Sequence, residues 1–271
     1  MTDWRAARVA PRARGAGGWV RILRRGLPVA LVLAAGLLIL LAVRLPERLA
    51  CGARRPATPW ITQGVCRIVL VLIGLRVRWD GVAAVAPAVV VANHVSWLDV
   101  IVLNAGARVR FVAKSEVAGW SGIGWLARST GTLFITRRSV EAGAQLAQLR
   151  AAVAEGQPVL LFPEGTSTDG QRVLPFKSTL FAAVTGPGAL PGVAVQPVTL
   201  AYRPPAGEDP RIHGWWGDMA FGPHLLDLLA RPRLGSAVVV RHPPLRADAC
   251  PGRKALAAAC EAAVRAAHPM V

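Results

Sequence analysis

Val89-Val90-Val91-Ala92-Asn93-His94-Val95-Ser96-Trp97-Leu98-Asp99 places a short apolar run before a histidine, with an aspartate five positions further on. The β-branched run predicts a buried strand, and the Ser-x-x-Asp spacing behind it predicts a helix N-terminus. A strand that turns into a helix is the opening unit of an α/β fold. A neutral imidazole can take a proton from a hydroxyl near pH 7, and a carboxylate on its far nitrogen fixes the tautomer and stabilises the imidazolium. His94 and Asp99 therefore suit acyl transfer to an alcohol. The same residues also fit plain capping, with Ser96 accepting from free backbone amides and Asp99 favouring the positive helix end. Residues five apart lie about 140° apart on an ideal helix. The two side chains can meet only if His94 precedes the cap.

Outward from this run the chain alternates strands and helices. Apolar segments at 89–92, 109–112, 132–135, 159–162, 193–200 and 236–241 predict a sheet. Between them a helix is expected from Ser139 as N-cap to Gly156, with Ala142, Leu146, Leu149 and Val153 on one face. Weaker helices are expected at 224–229 and 254–267. The expected fold class is α/β: a single mixed-sheet domain over 78–271 with helices on both faces. Pro197 inside the 193–200 strand predicts an edge or a kink facing ligand.

The N-terminal part has another character. Residues 1–26 carry Arg5, Arg8, Arg12, Arg14, Arg21, Arg24 and Arg25 against one acid, Asp3, and are expected to be a disordered basic tail at a membrane surface. The apolar run 27–43 is at the short end of the roughly 17 to 25 residues that span a bilayer. A cleaved leader has a similar order, but Arg44-Leu45-Pro46-Glu47-Arg48 offers no small-residue cleavage site. A second apolar stretch, 65–75, is too short to cross and is expected to lie in the interface or pack on the domain. Residues 27–77 together are expected to anchor the domain to membrane.

The 271 residues carry a net charge of +17 and are 53% hydrophobic, with a mean hydropathy of +0.41. That excludes a multi-span membrane protein and suits one membrane-associated domain. The charge fits anionic headgroups, an acidic carrier protein or nucleic acid alike. No nucleic-acid fold signature accompanies it, and few aromatics interleave with the basic clusters, so no nucleic-acid partner is expected. Cys51, Cys66, Cys250 and Cys260 lack metal-ligand spacing, so no metal is expected. Free thiols are the simplest reading of them, with a Cys250–Cys260 disulfide left open.

Further polar groups stand at predicted strand ends, where open α/β sheets bind ligands. Gly131-Thr132-Leu133-Phe134-Ile135-Thr136-Arg137-Arg138 ends in two guanidinium groups that match phosphate oxygens, or else form a solvated basic end. Leu160-Leu161-Phe162-Pro163-Glu164-Gly165-Thr166-Ser167-Thr168 presents a carboxylate, a glycine and three hydroxyls, or else is only a turn. Lys114 and Lys177 add cations after neighbouring segments.

In this order the blocks Asn93-His94-x-Ser96-x-x-Asp99, Gly131-x-x-Phe134-Ile135-x-Arg137, Phe162-Pro163-Glu164-Gly165-Thr166-Ser167 and Val195-x-Pro197-Val198 resemble the four motifs of the glycerolipid acyltransferases. The likeness covers roughly 60–245 and is closest to the 1-acylglycerol-3-phosphate acyltransferase branch. It implies that His94 is the general base for the sn-2 hydroxyl of 1-acylglycerol-3-phosphate and that Asp99 orients it. Lys114 and Arg137 would bind the acceptor's phosphate, and Glu164, Gly165 and Thr166 would shape the acceptor site. It further implies an acyl-CoA or acyl-carrier protein donor, no cofactor or metal, a membrane-lipid partner, phosphatidic acid as product, and a catalytic domain on the cytoplasmic side of the inner membrane. Family members often have glycine two residues after the lysine that Lys177 matches; Thr179 stands there and leaves the role of Lys177 open. The alternative acceptor is another lysolipid, notably lyso-ornithine lipid. A non-catalytic protein that binds anionic lipid is the second alternative.

Overall fold

The apolar run at 88–92 is buried at every position. Side chains alternate between the faces of a strand, so such a run needs cover on both sides. The computed structural model, which describes residues 4–6, 9, 14–84, 88–136 and 142–269, supplies both layers. The helices are α1 (Ala16–Cys51), α2 (Thr58–Ile73), α3 (Leu98–Gly106), α4 (Ile123–Ser129), α5 (Ala142–Ala154), α6 (Phe221–Ala230) and α7 (Arg253–Ala267). The strands are β1 (Arg76–Asp80), β2 (Ala88–Ala92), β3 (Arg110–Lys114), β4 (Leu133–Ile135), β5 (Val159–Leu161), β6 (Ala194–Arg203), β7 (Ser236–Arg241) and β8 (Leu245–Arg246). Val90 and Ala92 face a core closed by α2, α3 and α6, whereas Val89 and Val91 face one closed by α5 and α7. This is the expected mixed α/β sheet with helices on both faces.

The sheet runs β1-β7-β6-β2-β5-β3-β4, with β8 beside β6. β6, β2, β5, β3 and β4 are parallel, while β7 and β8 are antiparallel to β6. The carboxyl ends of the parallel strands therefore share one rim, and the His94 turn leaves β2 there.

Pro197 sits in the interior of the sheet, not at an edge. β6 pairs with β2 on one side and changes partner on the other, from β8 at Ala194 and Val195 to β7 from Val198 onward. Pro197 falls in the gap between the two partners, where the missing N–H breaks no ladder. Its carbonyl accepts from His242 N at 3.0 Å.

The N-terminal boundaries also shift. Helix α1 begins at Ala16, so 16–26 are helical and do not belong to a disordered tail. The cause is tertiary. Arg21 Nε donates to Ala230 O at 2.6 Å, and Arg25 donates to Leu229 O, Arg231 O and Pro232 O at 3.1, 2.6 and 3.1 Å. Leu229 O and Ala230 O are carbonyls that the end of α6 leaves without helical partners, and Arg231 O and Pro232 O follow directly after it. The 27–77 segment is likewise not separate from the domain: Cys66, Val69, Leu70 and Ile73 of α2 lie in the core, and Arg76 and Val77 pair with β7. Gly36 permits the close approach of α1 to α2, since a Cβ there would meet Val65 Cγ2 at 2.3 Å. The outward side of α1 stays apolar, with Leu31, Leu38, Leu45 and Leu49 exposed. Among the described residues α1 is the helix long and apolar enough to cross a membrane. All four cysteines are free thiols.

Candidate active site

The turn after β2 is fixed by its backbone. Asn93, fully buried, continues the β2–β6 ladder with its side chain: Nδ2 donates to Leu200 O and Oδ1 accepts from Leu200 N, both at 2.8 Å. His94 N donates to Glu164 Oε1 at 2.8 Å, and His94 O accepts from Thr168 N at 2.9 Å. Val95 O accepts from Trp215 N at 2.9 Å. Three segments remote in sequence thus hold the turn at 93–95 in place.

The chain enters α3 at Leu98, so His94 precedes the helix and Asp99 reaches back from its first turn. Asp99 Oδ2 accepts from Val95 N at 2.7 Å, Ser96 N at 3.0 Å and His94 Nδ1 at 2.7 Å. Two amides of the turn before the helix and the imidazole share one oxygen. Ser96 Oγ lies 3.4 Å from Leu98 N, the first amide of α3, while Asp99 closes the turn in front of the helix. Oδ1 of Asp99 accepts from Tyr202 OH at 2.8 Å, and the carboxylate is fully buried. With a carboxylate on Nδ1, the proton of a neutral imidazole sits there and Nε2 keeps its lone pair. The His94 ring stacks on Phe162 at 4.0 Å, and Phe162 in turn on Phe111 at 6.0 Å. Its side chain is 20% exposed, and Nε2 has no hydrogen-bond partner among the described residues. A held histidine with one free basic nitrogen can take a proton from a hydroxyl presented at the rim.

Glu164 is 2% exposed and uses both oxygens on backbone amides, of His94 and of Leu174 at 3.0 Å. It braces the turn that carries His94. Burial pushes its carboxyl up to about 8, against the two amide donors that favour the charged form. Gly165 has φ +71°, and a Cβ on it would lie 2.8 Å from Lys177 Nζ, so the lysine packs over the turn. Thr166 is partly exposed beside it, with Oγ1 3.4 Å from Ser167 O. Lys114 ends β3 on the same rim as His94. Arg137 lies outside the described residues, as does Ser139.

The sequence reading gave no role to Tyr202, Thr168, Asn93 or Phe162. Tyr202 is the chain's single tyrosine and lies just beyond the predicted 193–200 strand. Burial and the adjacent Asp99 carboxylate raise its phenol well above the usual range. Its ring stacks on His213 at 4.8 Å. Burial lowers His213 and His224 to about 4, and Nδ1 of His224 accepts from Trp97 Nε1 at 2.9 Å.

Comparison with known proteins agrees with this arrangement. The family model described as Acyltransferase matches residues 76–201, which enclose the His94 turn, Glu164 and β6 up to Ala201. A protein of Rhodobacter capsulatus named lyso-ornithine lipid O-acyltransferase is 54% identical over 245 residues, covering 90% of this chain and 89% of the relative. A 1-acyl-sn-glycerol-3-phosphate acyltransferase of Neisseria gonorrhoeae is 37% identical over 123 residues, or 44% of this chain and 46% of the relative. The crystal structure of the 1-acyl-sn-glycerophosphate (LPA) acyltransferase PlsC from Thermotoga maritima shares the fold, with a TM-score of 0.58 at 20% identity, over 91% of this chain and 95% of that one. Identity above one half, sustained across nearly the full length of both sequences, places this chain in the acyltransferase family.

Proposed function

We propose that the protein moves a fatty acyl group from an acyl thioester to the free hydroxyl of lyso-ornithine lipid. The observation that carries this reading is the 54% identity to the Rhodobacter relative of that name, across 90% of the chain. Lysophosphatidic acid, the acceptor expected from the motif order, is the second reading; the Neisseria relative supports it over 44% of the chain. Ornithine offers a carboxylate and an ammonium where lysophosphatidic acid offers a phosphate. Lys114 and Arg137 then bind the acceptor's carboxylate, while Gly165 and Thr166 border it.

His94 Nε2 takes the acceptor's hydroxyl proton as that oxygen attacks the thioester carbonyl. The carbon–sulfur bond breaks, and the imidazolium returns the proton to the departing thiolate. Asp99, held by two amides and a phenol, stabilises the imidazolium between these events. The reaction needs no metal, cofactor or acyl-enzyme, and the donor is acyl-CoA or acyl-carrier protein. Helix α1 anchors the domain at the cytoplasmic side of the inner membrane, within reach of a lipid acceptor.

The test presents both lysolipids, with either donor, to wild type and to His94→Ala. Turnover of lyso-ornithine lipid is expected to exceed that of lysophosphatidic acid, and His94→Ala to lose about 10²- to 10⁴-fold. A preference for lysophosphatidic acid transfers the assignment to the second reading. Undiminished turnover in His94→Ala refutes the base.

A further inference from the structure

We infer that Tyr202 is a positioning residue for acyl transfer, whose hydroxyl holds Asp99 by Oδ1 so that Oδ2 stays on His94 Nδ1 while the imidazole gains and loses a proton. The inference rests on His94 acting as the base. The two oxygens of Asp99 are served unequally. Oδ2 accepts three donors, and Oδ1 is served by Tyr202 OH at 2.8 Å. Asp99 is fully buried, so water does not replace that donor. Without the phenol, the carboxylate must turn away from the imidazole or take up a proton on Oδ1. Either change weakens its hold on the imidazolium.

The donor itself is fixed. Tyr202 lies near the end of β6, paired with Ala237 of β7. Its ring lies flat on His213, with an interplanar angle of 16°. His213 Nε2 lies 2.8 Å from Leu234 O, and a carbonyl only accepts, so that nitrogen carries the proton and the neutral ring holds one orientation. The segment that carries His213 also supplies Trp215 N to Val95 O, so one loop secures both the phenol and the turn. The titratable groups that face Asp99 are His94 on the turn, Tyr202 on β6, Glu164 after β5 and His213 after β6. Of these, Tyr202 alone donates to Oδ1, and the raised phenol keeps its proton throughout the working range.

Tyr202→Phe removes one oxygen and keeps the ring. The expected result is a fall in kcat of about ten- to a hundredfold, the size of a hydrogen bond to a charged group. KM for both substrates stays at the wild-type value, since the phenol touches neither. The acid limb of the pH–rate profile moves to lower pH, because an imidazolium held less firmly gives up its proton more readily. A packing role alone lowers thermal stability and leaves that limb in place. The inference is overturned if kcat stays within about twofold with a superimposable profile, or if KM rises while kcat is kept.

A second measurement stands if the variant does not fold. Because the chain has one tyrosine, biosynthetic 3-fluorotyrosine places a single fluorine beside Asp99 in an otherwise native protein. Its ¹⁹F shift is expected to titrate with the midpoint of the acid limb, and a flat shift across that limb refutes the link. His94→Ala, assayed in parallel, separates the two ideas: retained turnover there defeats the base assignment, whereas lost turnover beside an unaffected Tyr202→Phe defeats this one alone.

Discussion

Two turns beside helix ends in this molecule are held by charged side chains, with opposite signs and opposite consequences. In the turn before α3 the Asp99 carboxylate accepts from Val95 N and Ser96 N. At and just past the end of α6, Arg21 and Arg25 of α1 donate to the carbonyls of Leu229, Ala230, Arg231 and Pro232. Both obey the helix dipole. The first end, however, shares its charge with His94 and so becomes part of a reacting site, whereas the second shares its charge with nothing and becomes a dock for another helix. Bracing of backbone by a charge is common to the two; the neighbour of the bracing group decides whether chemistry follows.

The contrast can be broken most forcefully at Asp99. Asp99→Asn either turns an amide donor against Val95 N, Ser96 N and His94 Nδ1 or, flipped, leaves them a neutral acceptor that no longer stabilises the imidazolium. Turnover is expected to fall by about 10²- to 10⁴-fold and stability by about 1–3 kcal/mol, read by single-turnover kinetics and urea titration. At the other end, Arg25→Ala frees the carbonyls of Leu229, Arg231 and Pro232. It is expected to cost about 1–3 kcal/mol and to open 14–26 to limited proteolysis, while turnover on micellar substrate stays within about twofold. Equal losses of turnover in the two variants would erase the distinction.

The smallest effect is one of pH. His213 and His224 are held to about 4 by burial, below the ordinary histidine value of about 6.5. Between those values the unfolded chain binds more protons, so the stability these rings contribute is whole above about pH 6.5 and is lost as pH falls toward 4. Thermal midpoints should decline over that window, and less steeply in His213→Gln. Both rings lie near the Asp99 end, so the decline should be the same in Arg25→Ala as in wild type.

What the sequence made legible was local. The strand at 88–92, the histidine before a cap and the carboxylate five residues later are written within one short stretch, and the structure joins them at 2.7 Å. Tyr202 stands 103 residues from Asp99, and only the pairing of β6 with β2 brings the two together. Glu164 reads from sequence as a carboxylate at a strand end; that backbone amides occupy both its oxygens is a tertiary fact. Pro197 was misplaced because a strand that changes partner in mid-course leaves no mark beyond the proline itself. Arg21 and Arg25 matched the composition of disorder, since the carbonyls that order them lie more than 200 residues away. β1 escaped notice as an edge strand that exposes Arg76 and Arg78.

That last separation bears on how the protein is made. Arg21 and Arg25 bond to carbonyls 204 to 209 positions later in the chain. At a synthesis rate of about 5–20 residues per second, some ten to forty seconds pass between the emergence of α1 and that of its dock. During that interval the apolar outer side of α1 is already formed from its own sequence, while its inner side still lacks α6, and the His94 turn likewise waits for Tyr202.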